Sequence, residues 1–170
     1  MLHIGIIACS TEGAALCYRT ISLEGAAVLG AHDHPEVSLH SHSLAEYMKR
    51  IDTGDWAGVA ELMLSSADKL AKAGADFLIC PDNTIHQAFD LVEHRAPRPW
   101  LHIAREVAAE AKRREFRRLA VLGTRYLMEG PVYPQDRRRV SESRGITHPR
   151  RAYISPAAPD LRVGEWVERA

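Results

Sequence analysis

The sequence has no excess of charge of either sign: 22 Lys and Arg stand against 22 Asp and Glu, a formal net charge of zero with histidine neutral. That balance argues against a nucleic-acid partner or an anionic membrane surface, both of which call for clustered cations. Long apolar runs are also missing. None approaches the roughly 20 residues needed to cross a bilayer, so no membrane partner is expected. The opening MLHIGIIACSTEG lacks the basic start and long apolar core of a secretion signal. It reads as a first strand, and a cytoplasmic location is the expectation. Cysteine is scarce. Cys9, Cys17 and Cys80 are odd in number and spaced neither as a disulfide framework nor as a zinc knuckle.

What is present is an alternation of short apolar runs and helical patterns over the first three-quarters of the chain. At 170 residues there is room for one domain, or for one and part of another. HIGIIAC (3–9) reads as a buried parallel strand. STEGAALCYRTIS reads as a helix capped by Ser10 or Thr11, with Glu12 in its first turn. EVSLHSH (36–42) alternates as a strand. SLAEYMKRI reads as a helix with Ser43 as N-cap and Glu46 at the capping-box position. The segment 56–74 is a long amphipathic helix, with Val59, Leu62, Met63, Leu70 and Ala71 on one stripe and Gly74 as its stop. ADFLIC is a strand, NTIHQAFDLVEHR a helix, WLHI a brief strand, REVAAEAKRREF a helix and RRLAVLGT (117–124) a further strand. Strands alternating with helices over short loops predict a parallel sheet flanked by helices, an α/β lobe of the Rossmann or flavodoxin kind.

After Tyr133 the character changes. The remainder is rich in Arg, Pro and Ser with weak periodicity, and only ITH, AYI and DLRVGEWVERA read as strand or helix. Residues 1–117 are expected to form a first lobe, and 118–170 the start of an incomplete second lobe plus an irregular Arg/Pro-rich tail.

Ligands of open parallel sheets bind at the carboxyl ends of the strands. That edge collects Cys9-Ser10-Thr11, His40-Ser41-His42, Asp82-Asn83-Thr84 and Thr124-Arg125. Small polar groups at four strand exits, together with helix N-termini, suit a small anionic ligand.

With those residues in view, GADFLICPDNTIH resembles the first active-site strand and turn of the aspartate/glutamate racemases, cofactor-independent enzymes in which that turn is usually Pro-Cys-Asn-Thr-x-His. IGIIACSTEGAALCYRTI is similar to the family's first turn and helix, and WLHIAREVAAEAKRREFRRLAVLGT to the segment leading into its second lobe. The similarity covers roughly residues 3–135. It implies a racemase that uses neither pyridoxal phosphate nor metal: no cofactor, a small amino acid or carboxylate as ligand, and a homodimer. Family members place two cysteines on opposite faces of the substrate α-carbon, one removing a proton and the other returning one. Matched residue by residue, the first cysteine falls at Asp82, while Asn83, Thr84 and Thr124 match contacts to the substrate carboxylate. Ser10, Thr11 and His42 are expected to line the pocket, and His86 to orient Asp82 or the ligand.

The pattern departs from the family at several points, among them the family's Gly-Thr pair after the second-lobe strand, which is Tyr126-Leu127 here. A carboxylate titrates near 3.9 where a thiol titrates near 8.5, so Asp82 is a weaker base toward a carbon acid unless burial raises its pKa. The family's late Gly-Cys-Thr-Glu turn is absent, and all three cysteines precede Gly123. The alternative expectation is therefore a truncated or inactive racemase-like lobe that binds a small carboxylate or only dimerises.

Each signal also has an ordinary structural reading. Asp82, Asn83 and Thr84 are all good helix caps. Cys9 could be a small buried hydrophobe, or could supply the missing thiol; Cys17 and Cys80 are taken as structural. The histidines at 32, 34, 40 and 42 invite a metal, and His40 and His42 share a strand face. No His-x-x-x-His helix or carboxylate pair completes a site, so solvated histidines near the pocket are preferred and no metal is assigned. His86 could be no more than a half-buried first-turn residue, and the Arg run 137–139 a solvated face.

Overall fold

The computed structural model describes residues 1–117 and 119–133. In chain order the elements are β1 (Ile4–Ala8), α1 (Thr11–Leu29), β2 (Val37–Ser41), α2 (Leu44–Ile51), α3 (Trp56–Lys72) and β3 (Phe77–Ile79). A 3-10 helix (Thr84–Leu91), β4 (Trp100–Leu101), α4 (Ile103–Arg113) and α5 (Arg125–Glu129) follow. The strands form one sheet in the order β2-β1-β3-β4, parallel throughout. This is the α/β architecture with a helix-flanked parallel sheet that the alternating pattern predicts.

Strand alternation divides β1 between two layers. Ile7 and Cys9 point into a core built with Tyr47 and Ile51 of α2, Val59, Met63, Ala67 and Leu70 of α3, and Ile85 and Phe89 of the 3-10 helix. Gly5 allows the close approach behind this layer, since a Cβ there would lie 2.8 Å from Leu78 Cδ2 and 3.0 Å from Ala75 Cβ. Ile6 and Ala8 point the other way and are also buried. That second face is covered less completely. Leu39, beside Ile6 in the register, and Leu101, beside Ile79, are 44% and 41% exposed.

Several local expectations shift. α1 runs well past Ser22 to Leu29, and only Ala14 of it is fully buried. Ser43 stands at the start of α2 but makes no side-chain capping bond, and Glu46 reaches Arg50 instead. The long helix matches its pattern, and Gly74 follows it with φ +100°. The helix expected from Asn83 onward is a 3-10 helix, whose three-residue period sets His86 under Phe89, rings stacked 5.7 Å apart.

The strand expected at 117–124 does not form among the described residues. Leu119 and Leu122 are exposed, and no neighbouring strand among the described residues offers the ladder that extended backbone needs. This stretch instead leads into α5, where Tyr126 packs on the core and its hydroxyl donates to Asp52 at 2.8 Å. The expectations for ITH, AYI, DLRVGEWVERA and the Arg run at 137–139 lie outside the described residues.

Candidate functional site

β1 and β3 lie side by side, with Ile6 opposite Ile79, so the turns that leave them open at the same edge of the sheet. After β1, Ser10 caps α1: its backbone is extended and its Oγ accepts from the Gly13 amide at 3.2 Å. After β3, Pro81 ends the ladder and Asp82 turns back across the edge. Its Oδ1 accepts from Ser10 Oγ at 2.5 Å and its Oδ2 from the Cys9 amide at 3.0 Å. The carboxylate therefore sits at the N-terminus of α1, where the helix dipole favours a negative charge. Gly13 leaves it room, since a Cβ there would lie 2.9 Å from Ser10 Oγ and 3.5 Å from Asp82 Oδ1.

The ordinary reading of 82–84 as caps of the following helix does not hold for Asp82 or Asn83. Asp82 secures the β1 turn instead. Asn83 occupies the N-cap position of the 3-10 helix but makes no capping bond, and its Oδ1 accepts from the Tyr133 hydroxyl at 2.7 Å. A carboxylate has about four lone-pair sites, so the two bonds to Asp82 leave it capacity for a third partner.

His86 is buried and grips main chain rather than the Asp82 carboxylate. Its Nδ1 lies 2.9 Å from the Asp82 carbonyl, and its Nε2 accepts from the Ile103 amide at 3.4 Å. These partners require the proton on Nδ1. Burial, with a smaller contribution from His102, lowers its pKa to about 3, so the ring is neutral. His102 Nδ1 accepts from the Ala104 and Arg105 amides, capping α4, and its ring meets His86 edge-on at 4.7 Å. The site-bearing turn is thereby tied to the start of α4 as well as to α1.

Two cysteines touch Asp82: the Cys9 amide donates to its carboxylate, and Cys80 Sγ lies 3.8 Å from its carbonyl. Burial, then the Asp82 charge, pushes Cys9 up to about 12 and raises Cys17; the same two causes hold Cys80 well above the ordinary thiol value. Each therefore keeps its proton at neutral pH, and none is a thiolate base in this arrangement. Cys80, taken from sequence as structural, thus contacts the Asp82 main chain. Cys17 lies four residues after Gly13 and seven after Ser10, on one helical face of α1.

The remaining predicted residues are not joined to this group. Among the described residues no hydrogen bond links Thr11, His42, Thr84 or Thr124 to Asp82 or Asn83. Thr11 and Thr124 are exposed, Thr84 is half-buried, and Thr124 begins α5 without a capping bond. His42 follows β2, on the far side of β1 from β3. Its ring meets His40 edge-on at 4.8 Å, and its Nε2 has no hydrogen-bond partner among the described residues. His40 Nδ1 lies 3.0 Å from Ser66 Oγ, and the Lys69 ammonium donates to its Nε2 at 3.0 Å. Burial and then Lys69 lower both imidazoles, which suits a neutral pair beside a cation. Among the described residues no three His, Cys, Asp or Glu side chains converge to hold a metal ion. Tyr133 and His102 escaped the sequence reading, because each acts through a contact distant in the chain or through main-chain amides.

These features define an α/β protein whose parallel sheet presents a carboxylate, an amide and a hydroxyl at the carboxyl ends of two adjacent strands. Comparison with known proteins says which family that is. The model of the Asp/Glu/hydantoin racemases matches residues 4–152, and the chain belongs to that family. It is 28% identical over 102 residues to the broad specificity amino-acid racemase RacX of Bacillus subtilis (strain 168), covering 59% of this chain and 43% of that protein. A crystal structure of a proposed Asp/Glu racemase from Yersinia pestis superposes with a TM-score of 0.75 at 33% identity, over 86% of this chain and 63% of that one. An aspartate racemase homologue from Pyrococcus horikoshii OT3 gives a TM-score of 0.71 at 27% identity, over 82% and 62%. The chain thus spans less than two thirds of the length of each of these relatives. No helix among the described residues is long and apolar enough to cross a membrane.

Proposed function

We propose that this chain supplies one half of the site of a cofactor-independent amino-acid racemase, with Asp82 as the proton-transfer group on one face of the substrate α-carbon. The observation that carries this reading is the double anchoring of Asp82 to Ser10 and to the Cys9 amide, which holds a carboxylate at the ligand edge of the sheet beside Asn83. In this reading Asp82 accepts the α-proton while Asn83 and Thr84 donate to the α-carboxylate. Ser10, Thr11 and His42 line the pocket, His86 holds the Asp82 main chain in place, and Thr124 adds a donor from the segment after the first lobe. The division at residue 117 into a first lobe and the start of a second belongs to the same proposal, as do a cytoplasmic location and a homodimer. The ligand is a small amino acid, bound without pyridoxal phosphate or metal.

A second reading is favoured by one observation. Return of a proton to the opposite face needs a second acid, yet the sequence has no cysteine after Cys80, and all three precede Gly123. A lobe so built binds a small carboxylate without completing racemisation. Incubation with amino acids in heavy water separates the two. Incorporation of deuterium at the α-carbon without added metal or pyridoxal, lost in Asp82→Asn, supports the racemase reading. Thermal stabilisation by an amino acid without any exchange supports the binding lobe. Undiminished exchange in Asp82→Asn removes Asp82 as the base.

A further inference from the structure

We infer that Tyr133 is a positioning residue that fixes the orientation of the Asn83 amide, and so makes residue 83 a donor rather than an acceptor toward an anionic ligand. This rests on the reading of Asn83 as a carboxylate contact and deepens it. A side-chain amide carries an acceptor and a two-proton donor on one planar group, and in isolation either end can face a ligand. Here the phenol of Tyr133, fifty positions further along the chain, donates to Asn83 Oδ1 at 2.7 Å. With the oxygen engaged, Nδ2 is left at the opposite corner of the plane. No described residue accepts from it, and Asn83 is only half-buried, so its two N–H groups are open to an incoming acceptor.

Three further features make the arrangement a built one. Asn83 stands at the N-cap position of the 3-10 helix, yet its side chain is not used to cap it. The neighbouring Asp82 is anchored by Ser10 and Cys9 and its carbonyl by His86, so the backbone that carries Asn83 has little freedom to swing away. Tyr133 is itself half-buried and follows the buried Val132. A carboxylate ligand is an acceptor at both oxygens. An amide turned the other way would present its own oxygen to that anion, replacing attraction with repulsion. The inferred role also explains how a segment outside the first lobe influences the first lobe's site without touching the ligand.

The test is a double-mutant cycle read by calorimetric binding of L-aspartate and L-alanine, with propylamine as a ligand lacking the carboxylate. Tyr133→Phe keeps the ring and removes the hydroxyl. One neutral hydrogen bond is worth about 1 kcal/mol, so it should weaken both amino acids about fivefold and leave propylamine unchanged. In an Asn83→Ala background the same substitution should have no further effect, whereas a merely structural tyrosine would weaken binding equally in both. Asn83→Asp retains an acceptor for Tyr133 but loses the donors, and should abolish amino-acid binding. If wild-type protein binds and Asn83→Ala binds less well, but Tyr133→Phe matches wild type, this inference alone fails. If wild-type protein binds neither amino acid, or Asn83→Ala binds them as well as wild type, the carboxylate role of Asn83 fails and carries this inference with it. Should Tyr133→Phe melt well below wild type, the Asn83 side-chain amide resonances of wild-type protein decide. A fixed pair that shifts with L-aspartate supports the inference; a rotating, unshifted pair overturns it.

Discussion

The Ser10 hydroxyl donates to Asp82 Oδ1 across 2.5 Å, joining the turn after β1 to the turn after β3. The same oxygen of Ser10 accepts from the Gly13 amide. One side chain therefore both starts α1 and holds the carboxylate on which the proposed chemistry depends. The fold and the proposed chemistry thus meet at this atom, and the first consequence is thermodynamic.

Ser10→Ala removes a helix cap, which typically costs ~0.5–2 kcal/mol, and a hydrogen bond to a charged group, which contributes ~1.5–3 kcal/mol. These share one atom and are not additive. A net loss of about 2 kcal/mol is expected, or roughly 4–8 °C in a melt of a protein this size. Ser10→Thr keeps the hydroxyl and should recover most of it. An unchanged melting point in Ser10→Ala would show that the contact contributes nothing.

Gly13→Ala tests the space around the same pair. In an open helix this change stabilises by ~1 kcal/mol. Here the new methyl would lie 2.9 Å from Ser10 Oγ, so either the serine or the helix must shift. The expected sign is reversed: a destabilisation of about 1 kcal/mol, together with weaker amino-acid binding. Denaturant titration of the variant beside wild type reads the sign directly.

His86 makes stability depend on pH. Its pKa falls from 6.5 in the ordinary case to about 3 in the folded protein, through burial and then His102. Between those values the unfolded chain binds a proton that the folded chain does not. Stability contributed by the neutral ring is complete above pH 6.5 and is lost as the pH falls toward 3, at a slope of up to about 1.4 kcal/mol per pH unit. His86→Gln retains donor and acceptor without the titration. The difference in unfolding free energy between the two proteins should narrow as pH falls from 7 to 5; a constant difference would remove His86 from the acid response.

The thiols give a labelling prediction. Cys9 and Cys80 are buried and Cys17 is half-buried, and burial followed by the Asp82 charge raises all three. Because the thiolate is the reactive form, alkylation of native protein at pH 7 should be slow and begin at Cys17, with Cys9 and Cys80 protected until unfolding. In Asp82→Asn the neighbouring charge is gone, and Cys17 should react faster. Mass-mapped iodoacetamide kinetics measure both. Fast labelling of Cys9 in the native state would contradict the arrangement.

Much of this protein was legible in its sequence because the signals are local. Apolar runs of strand length, helical stripes such as Val59, Met63 and Leu70, and stops such as Gly74 follow from periods and backbone preferences that each segment carries itself. Parallel pairing and a polar ligand edge follow from their alternation, so Ser10, Asp82 and Asn83 could be picked out as strand-exit residues. The sequence could not say what Asp82 binds, because its partners lie more than seventy positions away and reach it only when β1 and β3 pair. It could not bring Tyr133 back to Asn83. The strand expected at 117–124 failed for the same reason in reverse: its composition suits extended backbone, but a strand exists only where a neighbour offers hydrogen bonds, and among the described residues none lies beside it. Local propensity determined which segments could become strand or helix; the packing of the sheet decided which polar groups meet, since hydrogen bonds between distant residues form only after the chain has brought them within 3 Å.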